Sequence, residues 1–246
     1  MGDNNTAISL KNVNKNFLTR EKKVNTLKDQ VFGIFDKPRL RKLQALKNIE
    51  FEIKKGENFG IIGSNGSGKS TLVKIMSGAF VPDKGGQVIK NGTSMLLNLG
   101  VGMSHELTAR QNIYVSGSAL GLRIKQIEEI FDEIIEFAEL EDFVDSKIKH
   151  FSSGMIQRLS FSIAINANAD IMFLDEVFAV GDAKFKKKAI QKMEESWMEG
   201  RTFVMVSHSL TNIEKYCTRA LYLKKGEMAF LGDSKTAIAM YNQDNA

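Results

Sequence analysis

Residues 63 to 71 of the chain read GSNGSGKST, namely Gly63, Ser64, Asn65, Gly66, Ser67, Gly68, Lys69, Ser70 and Thr71. They fill the pattern G-x-x-x-x-G-K-[ST] and lie between an apolar run at 59–62 and the start of a helical pattern. In such a loop the backbone N–H groups and the N-terminus of the next helix face a di- or triphosphate. Lys69 would neutralise terminal phosphate charge, and the Ser70 hydroxyl can ligate Mg²⁺. The stretch therefore predicts a nucleotide-binding protein, with a glycine-rich strand-to-helix turn as the structural alternative.

Composition limits the class of protein. The chain has 246 residues, enough for one large α/β domain, and its two prolines leave no Pro-rich linker. A single cysteine, Cys217, excludes a disulfide framework within the chain and suits a reducing cytoplasm. No apolar stretch reaches the ~20 residues of a transmembrane helix, and the polar N-terminus has no signal-peptide core. Any role at a membrane is therefore expected to require a partner.

Hydrophobic periodicity predicts the organisation of the chain. Alternating or fully apolar runs predict strands near residues 8–13, 49–53, 59–62, 87–90, 94–97, 171–174, 202–206 and 220–223. The spacing is helical between 100 and 168, and a further helix is predicted at 182–198. The simplest organisation is a single α/β domain over 1–246. Its core would consist of 1–99 and 169–246, with a helical block at 100–168 inserted into it.

An apolar strand that ends in two carboxylates is the second signal. Residues 171 to 176 read Ile171-Met172-Phe173-Leu174-Asp175-Glu176. Beside the phosphate loop, Asp175 would point toward the Mg²⁺ shell and Glu176 toward the water that attacks a γ-phosphate. Successive side chains on a strand point apart, so the two acids would have different roles. An apolar run followed by Asp-Glu is also common in purely structural strands, and its pairing with the phosphate loop makes the functional interpretation specific.

A second candidate anion site lies at the start of a predicted helix. Ser152, Ser153, Gly154 and Met155 follow Phe151 and precede a helical pattern. Small residues with free backbone N–H groups at a helix start can bind an anion. An ordinary role for Ser152 as an N-cap is the alternative, and the local sequence leaves both open.

The order of these motifs resembles a known family. The phosphate loop is followed by Ser152 to Met155, then Leu174-Asp175-Glu176, Ala179-Val180-Gly181-Asp182 and Ser207-His208-Ser209. Over nearly the whole chain this series resembles the nucleotide-binding subunit of an ATP-binding-cassette (ABC) transporter. The resemblance implies an α/β P-loop NTPase core of mixed sheet and flanking helices, with an inserted helical subdomain and an antiparallel β edge.

The resemblance also implies how one chain would hold its nucleotide. Phe17 would stack on the adenine of ATP, and Ser64 to Thr71 would wrap the phosphates. Ser70 would bind Mg²⁺ directly, while Asp175 would order the ion through water. ATP and Mg²⁺ are therefore the expected substrate and cofactor.

Hydrolysis, on the same resemblance, requires two copies of the chain. Glu176 would be the general base and His208 would contact the γ-phosphate. Ser152 to Met155 would bind the γ-phosphate of the nucleotide held by the opposite subunit. A single chain would then supply two half-sites of a head-to-tail homodimer.

Two departures from the family pattern bear on the metal site and the signature segment. Members usually have a glutamine before the helical block, whereas this chain reads Leu97-Asn98-Leu99-Gly100-Val101-Gly102. Whether Asn98 replaces that glutamine as a Mg²⁺ sensor is left open. The signature segment of the family corresponds to Phe151 to Met155 and reads Phe-Ser-Ser-Gly-Met instead of Leu-Ser-Gly-Gly-Gln, which keeps the serine and one glycine.

A combination of motifs resembles one subfamily, the exporters of lipid-linked polysaccharides such as O-antigen, capsule and teichoic acid. The motifs are Leu-Asn-Leu-Gly-Val-Gly before Glu106-Leu107-Thr108, Ser-Ser-Gly-Met, and Asp175-Glu176-Val177 with Ala179-Val180-Gly181-Asp182. The resemblance implies a homodimeric ATPase at the cytoplasmic face of the bacterial inner membrane, with two copies of a separate transmembrane permease. The transported substrate would be a lipid-linked glycan, with O-antigen as the leading candidate. The chain ends at Ala246, so it is expected to be a short form without a C-terminal carbohydrate-binding domain.

The surplus positive charge belongs to one segment, residues 18–44. It contains eight basic and three acidic residues, which account for the net charge of +5. Within it Val24, Leu27, Val31 and Ile34 follow helical spacing and predict an amphipathic helix that ends before Pro38. This basic insertion could pack on its own domain, or it could lie under the inner leaflet beside the membrane partner.

Two other functions remain as alternatives. A soluble ATPase of the same superfamily could act on DNA or ribosomes, but such members carry long coiled coils or two cassettes, and this chain shows one cassette without a heptad run. A non-hydrolysing sensor is disfavoured because Glu176 and His208 are both present. The run of lysines at 184–188 spreads around a predicted helix, which favours a solvated face over a nucleic-acid site.

Overall fold

The chain is described by a computed structural model over residues 5–20, 40–97, 99–166, 169–175, 182–198, 200–207 and 209–245. Its strands are β1 Thr6–Arg20, β2 Leu40–Lys54, β3 Asn58–Ile62, β4 Gln87–Lys90, β5 Ser94–Leu97, β6 Ile171–Asp175, β7 Thr202–Val206, β8 Arg219–Lys224 and β9 Glu227–Asp233. Its α-helices are α1 Lys69–Ser77, α2 Ala109–Ala119, α3 Ile124–Ala138, α4 Ser153–Ile165, α5 Ala183–Met198, α6 Leu210–Tyr216 and α7 Ser234–Asn245. Short 3-10 turns at Glu141–Phe143 and Ile148–His150 lie between α3 and α4.

The described strands form two sheets. The larger has the order β5-β6-β7-β3-β8-β9 and is parallel except for β9, which runs antiparallel to β8. The smaller sheet is antiparallel and has the order β2-β1-β4. The parallel strands end at one edge of the large sheet, where the loops that follow them meet. The predicted α/β class, with a mixed sheet and an antiparallel β edge, is confirmed.

Both faces of the large sheet are buried, which explains the unbroken apolar run in β6. Met172 and Leu174 belong to the core on the face that α4 and α5 cover. Ile171 and Phe173 belong to the core on the opposite face, together with residues of the small sheet and α1. Because side chains alternate along a strand, a strand covered on both faces must be apolar at every position.

Helices α2, α3 and α4 share an apolar core of their own. Ile113, Ile127, Ile134, Leu159 and Ile163 are fully buried within it. A capping box fixes the start of α2, because the Thr108 hydroxyl accepts from the Gln111 N–H while the Gln111 amide oxygen accepts from the Thr108 N–H. This helical block lies within the range 100–168.

The β1–β2 ribbon is longer than the sequence indicated. Alternation predicted strand only at 8–13 and 49–53, whereas pairing continues to Arg20 opposite Leu40. The described ends of the basic insertion are therefore paired strands. The helix predicted within it, at 24–35, lies outside the described residues.

Among the described residues, no helix combines the length and the apolar character needed to cross a membrane.

Candidate nucleotide site

The phosphate loop lies between the end of β3 and the start of α1, and its glycines are required by close packing. A Cβ on Gly63 would lie 2.3 Å from the Leu223 carbonyl oxygen, and one on Gly68 would lie 2.6 Å from the Ala45 carbonyl oxygen. Both residues also have positive φ, 155° and 109°. The glycine spacing of the motif therefore follows from how closely the loop approaches β8 and β2.

Lys69 is the first residue of α1, and its side chain is buried against the loop that precedes it. Its ammonium group donates to the carbonyl oxygens of Gly63 at 2.6 Å and Ser64 at 3.0 Å, and the residue is only 6% exposed. A buried cation is stable only with such charge-assisted hydrogen bonds. The side chain is thus held at the centre of the loop, at the place where an anion would sit.

The loop has the donors that a polyphosphate requires. The N-cap of α1 is Gly68, which makes no side-chain capping bond, and the first turn of the helix contains no acidic residue. The positive end of the helix dipole is therefore not neutralised from within the helix. The Ser67 hydroxyl oxygen is buried without a hydrogen-bond partner among the described residues. These features fit a bound phosphate chain.

A cleft of about 470 Å³ opens beside the loop. One wall is the loop and the first turn of α1, which contribute Asn65, Gly66 and residues 68–71. The other wall is the β1–β2 ribbon, which contributes Phe17 and residues 43–45. Phe17 is half-buried, and its ring lies 5.8 Å from that of Phe80 in an edge-to-face arrangement. The structure therefore brings the predicted base-stacking residue and the phosphate loop to the same cleft.

The acidic strand ends near the same cleft. The backbone of Asp175 pairs with that of Val206 on β7, and Val206 lines the cleft. Strand β7 in turn pairs with β3, which leads into the phosphate loop. A Ser hydroxyl and a carboxylate are hard oxygen ligands of the kind that Mg²⁺ prefers, so Ser70 and Asp175 fit the predicted metal role by chemistry. Glu176, His208 and Asn98 lie outside the described residues.

The signature residues lie away from this cleft. Ser152 and Ser153 are exposed, and none of the four residues from Ser152 to Met155 lines the cleft of the same chain. The Ser152 hydroxyl accepts from the Met155 N–H at 3.2 Å, as the N-cap alternative predicted. The capping bond is local to the first turn of α4, so an anion on another chain could still approach this helix start.

Helix α5 is capped by Asp182, the last residue of the motif Ala179-Val180-Gly181-Asp182. Asp182 accepts from the Phe185 N–H at 2.8 Å, and this hydrogen bond lowers the pKa of the Asp182 carboxyl. Elsewhere, burial raises the pKa of the Cys217 thiol to about 12. This thiol is therefore a core group and not a nucleophile.

Sequence reasoning missed several residues of the cleft. Leu43, Gln44, Ala45 and Lys225 all line it, and none belongs to a motif. Only the strand register of the ribbon and the turn between β8 and β9 bring them there. The strand predicted at 49–53 begins too late to include Leu43, whereas β2 begins at Leu40. A prediction of the full length of β2 would have been needed to place Leu43 at the cleft.

The chain matches the family model described as "ABC transporter" over residues 46–179. The chain belongs to the ABC transporter family. The match spans the phosphate loop, the signature segment and the acidic strand, so the chain contains an ABC ATPase domain. The family prediction made from the order of the motifs is confirmed.

Several relatives of this ABC protein are named as export ATP-binding proteins. It is 38% identical over 242 residues to "Teichoic acids export ATP-binding protein TagH" of Listeria innocua, covering 97% of this chain and 70% of the relative. It is 36% identical over 239 residues to "O-antigen export system ATP-binding protein RfbB" of Klebsiella pneumoniae, covering 96% of this chain and 97% of the relative. Against the TagH protein of Bacillus cereus, which is 38% identical, it spans 42% of the relative's length.

Solved structures of ABC proteins share the fold. A dimeric ATP-binding cassette, in a post-hydrolysis state with ADP and Pi bound, is 25% identical with a TM-score of 0.69, and the match covers 92% of this chain and 98% of that chain. The ATP-binding subunit of an ABC transporter gives a TM-score of 0.73 at 21% identity, over 98% of this chain and 95% of that chain. At that identity the second likeness supports the fold alone.

Proposed function

We propose that the chain is the ATP-hydrolysing subunit of an ABC exporter that moves a lipid-linked polysaccharide across the inner membrane through a separate permease. O-antigen is the leading candidate for this polysaccharide. The observation that carries the nucleotide part is the cleft where Phe17 and the phosphate loop face one another. The relatives named for teichoic acid and O-antigen export support the substrate class.

Binding of ATP uses both walls of the cleft. Phe17 stacks on the adenine, and the N–H groups from Ser64 to Thr71 bind the phosphates. Lys69 exchanges its bonds with the Gly63 and Ser64 carbonyl oxygens for the terminal phosphate. Ser70, through its hydroxyl, and Asp175, through water, would hold Mg²⁺, and the ion would neutralise charge on the phosphate oxygens.

Hydrolysis follows from the two residues predicted beside the γ-phosphate. Glu176 accepts a proton from the attacking water while the oxygen of that water bonds to the γ-phosphorus. The bond between the γ-phosphorus and the β-phosphate oxygen breaks, which releases ADP and inorganic phosphate. His208 contacts the γ-phosphate and keeps it in line with the water. These roles rest on the family resemblance of the two positions.

The catalytic unit we propose is a head-to-tail homodimer. Ser152 to Met155 lie outside their own cleft, with Ser152 and Ser153 exposed, as a contribution to the partner's γ-phosphate requires. A related cassette solved as a dimer supports this arrangement. ATP would close the dimer, closure would drive two copies of the permease, and hydrolysis would reset them. The chain would work as a peripheral subunit at the cytoplasmic face.

A variant pair tests the nucleotide chemistry. Lys69→Ala should weaken ATP binding by about tenfold or more, because the cation at the centre of the loop is lost. Glu176→Gln should bind ATP normally, hydrolyse it roughly a hundredfold more slowly and accumulate as a dimer in size-exclusion chromatography with ATP. Normal hydrolysis by the Glu176 variant would contradict the assigned base.

Transport is tested in the bacterium that encodes the chain. Replacing the gene by the Glu176→Gln allele should leave the lipid-linked glycan inside the cell, which surface labelling and extraction of the lipid fraction would detect. Unchanged surface polysaccharide would contradict the export function and favour the soluble alternative that acts on DNA or ribosomes. Loss of another exported molecule would identify an ABC subunit for a different substrate.

A further inference from the structure

The turn between β8 and β9 contains a residue in an unusual backbone conformation. Lys224 pairs with Glu227, so Lys225 and Gly226 form a two-residue hairpin loop. Their φ angles are 50° and 81°, both left-handed, as a type I′ turn requires. Asn, Asp and Gly adopt this conformation readily at the first position, whereas a lysine there is disfavoured by contact of its Cβ with the backbone.

The turn is fixed against the nucleotide site by its backbone. The Gly226 N–H donates to the Ser67 carbonyl oxygen at 2.9 Å, and the Gly226 carbonyl oxygen accepts from the Lys47 N–H at 2.8 Å. A Cβ on Gly226 would lie 2.7 Å from the Ala45 carbonyl oxygen, so glycine is needed there. The position of the turn therefore depends on Gly226 and not on the side chain of Lys225.

Lys225 is exposed and lines the ATP cleft. Asn65 and Gly66 of the phosphate loop line the same cleft. Two nearby lysines are engaged elsewhere, since Lys224 pairs with Asp244 at 2.7 Å and Lys47 pairs with Glu227 at 2.9 Å. Asp244 and Glu227 therefore already have cationic partners, and Lys225 is among the residues that line the cleft.

We propose that Lys225 binds the phosphate chain of the nucleotide, as a second cation besides Lys69. The proposal rests on the ATP site described above and adds a residue that no motif of the chain contains. None of the described residues that line the cleft is acidic, so a bound phosphate chain would supply the negative charge that attracts this ammonium group. The disfavoured backbone conformation of Lys225 is then compensated by charge at a functional site.

The experiment compares Lys225→Asn with Lys224→Gln. Asn suits the left-handed position, so the first variant keeps the turn and removes the charge from the cleft. The second variant removes one charge from the adjacent residue, whose side chain is paired with Asp244. Dissociation constants for ATP, ADP and inorganic tripolyphosphate are measured by calorimetry at low and high salt, with melting temperatures recorded without nucleotide.

Lys225→Asn should raise the dissociation constants of all three ligands by roughly threefold to tenfold, and high salt should reduce the difference. Its melting temperature should be unchanged or higher, because Asn adopts positive φ more readily. Lys224→Gln should bind all three ligands as the unmodified chain does. This pattern would assign the effect to a direct phosphate contact.

Three results would overturn the proposal. Unchanged affinity in Lys225→Asn would show that Lys225 does not contact the phosphate chain. An equal loss of affinity in Lys224→Gln would show that the effect comes from general surface charge. A loss for ATP and ADP without a loss for tripolyphosphate would place Lys225 on the ribose or base. If the unmodified chain bound none of the three ligands, the proposed ATP site itself would fail, which is a distinguishable outcome.

Discussion

Phe17 and Leu43 are direct cross-strand partners in the β1–β2 ribbon, and both line the cleft beside the phosphate loop. Residues opposite one another in an antiparallel pair present their side chains on the same face, with Cβ atoms about 5 Å apart. Leu43 is 52% exposed, which leaves much of its apolar surface in contact with solvent. A bound nucleobase would cover part of that surface as well as the Phe17 ring.

Replacing Leu43 should therefore weaken the binding of ATP by reducing its contact with the nucleobase, without affecting the binding of the phosphates. Leu43→Ala is expected to raise the dissociation constant of ATP by about twofold to fivefold, because less apolar surface is buried against the base. Tripolyphosphate, which has no base, should bind as before, and competition calorimetry would measure both ligands. Leu18→Ala is the matched control, since Leu18 is adjacent to Phe17 on the opposite face of the ribbon and is 71% exposed. Equal losses in the two variants would contradict a base contact.

The sequence predicts the phosphate loop but not some other residues that line the cleft, such as Leu43 and Lys225. The loop at 63–71 could be predicted because its glycines, lysine and serine form one contiguous motif between β3 and α1, even though the glycines are required by contacts with β8 and β2. Leu43 and Lys225 could not, because their places depend on pairing between β1 and β2 and on packing of the β8–β9 turn against Ser67. Local patterns do not record such pairings between distant segments.

Asp170 makes the stability of the sheet depend on pH. Its carboxylate accepts from the Thr93 N–H at 2.7 Å and the Thr93 hydroxyl at 2.8 Å, and the first of these chiefly lowers the pKa of Asp170. A carboxyl with a lowered folded-state pKa stabilises the fold above its unfolded pKa of about 3.9, and the stabilisation is lost as the pH falls through the folded-state pKa.

Asp170→Asn should therefore lower the free energy of unfolding by about 1 kcal/mol at pH 7. The difference from the unmodified chain should narrow as the pH falls below about 4, where the Asp170 carboxyl becomes protonated and is neutral like Asn. Urea unfolding at a series of pH values measures it. Asp142→Asn, at an exposed position in a 3-10 turn, is the control and should show no such dependence. A difference that stays constant with pH would contradict the role of the Asp170 charge.

Glu139 joins the helical block to the core. It ends α3 with a positive φ of 56°, and its carboxylate lies 3.0 Å from Arg158 of α4 and 3.2 Å from Lys184 of α5. Arg158 is the least exposed of the three side chains, at 18%. Partial burial and a shared carboxylate favour a larger contribution than that of an isolated surface pair.

Glu139→Gln should lower the free energy of unfolding by about 1 kcal/mol, whereas Glu128→Gln on the exposed face of α3 should change it by less than about 0.5 kcal/mol. Adding Arg158→Gln to the Glu139 variant should cost less than it does in the unmodified chain, because the ion pair is already lost. Strictly additive effects in this double-mutant cycle would show that the two side chains do not interact.

The basic insertion, residues 18–44, has a testable role in export. If it lies under the inner leaflet, each basic side chain near the surface is attracted to anionic lipid by about 1 kcal/mol. Neutralising Lys22, Lys23, Arg39 and Arg41 together should then lower export of the glycan and leave the ATPase activity of the isolated subunit unchanged. Export is measured by surface labelling of the glycan, and ATPase activity by phosphate release from the purified chain.

The control removes four positive charges elsewhere. Suitable positions are exposed lysines on other surfaces, namely Lys11, Lys84, Lys186 and Lys187. Both variants have the same net charge, so a loss of export confined to the first assigns the effect to the insertion and not to overall charge. Unchanged export in the first variant, or an equal loss in both, would favour packing of the segment on its own domain.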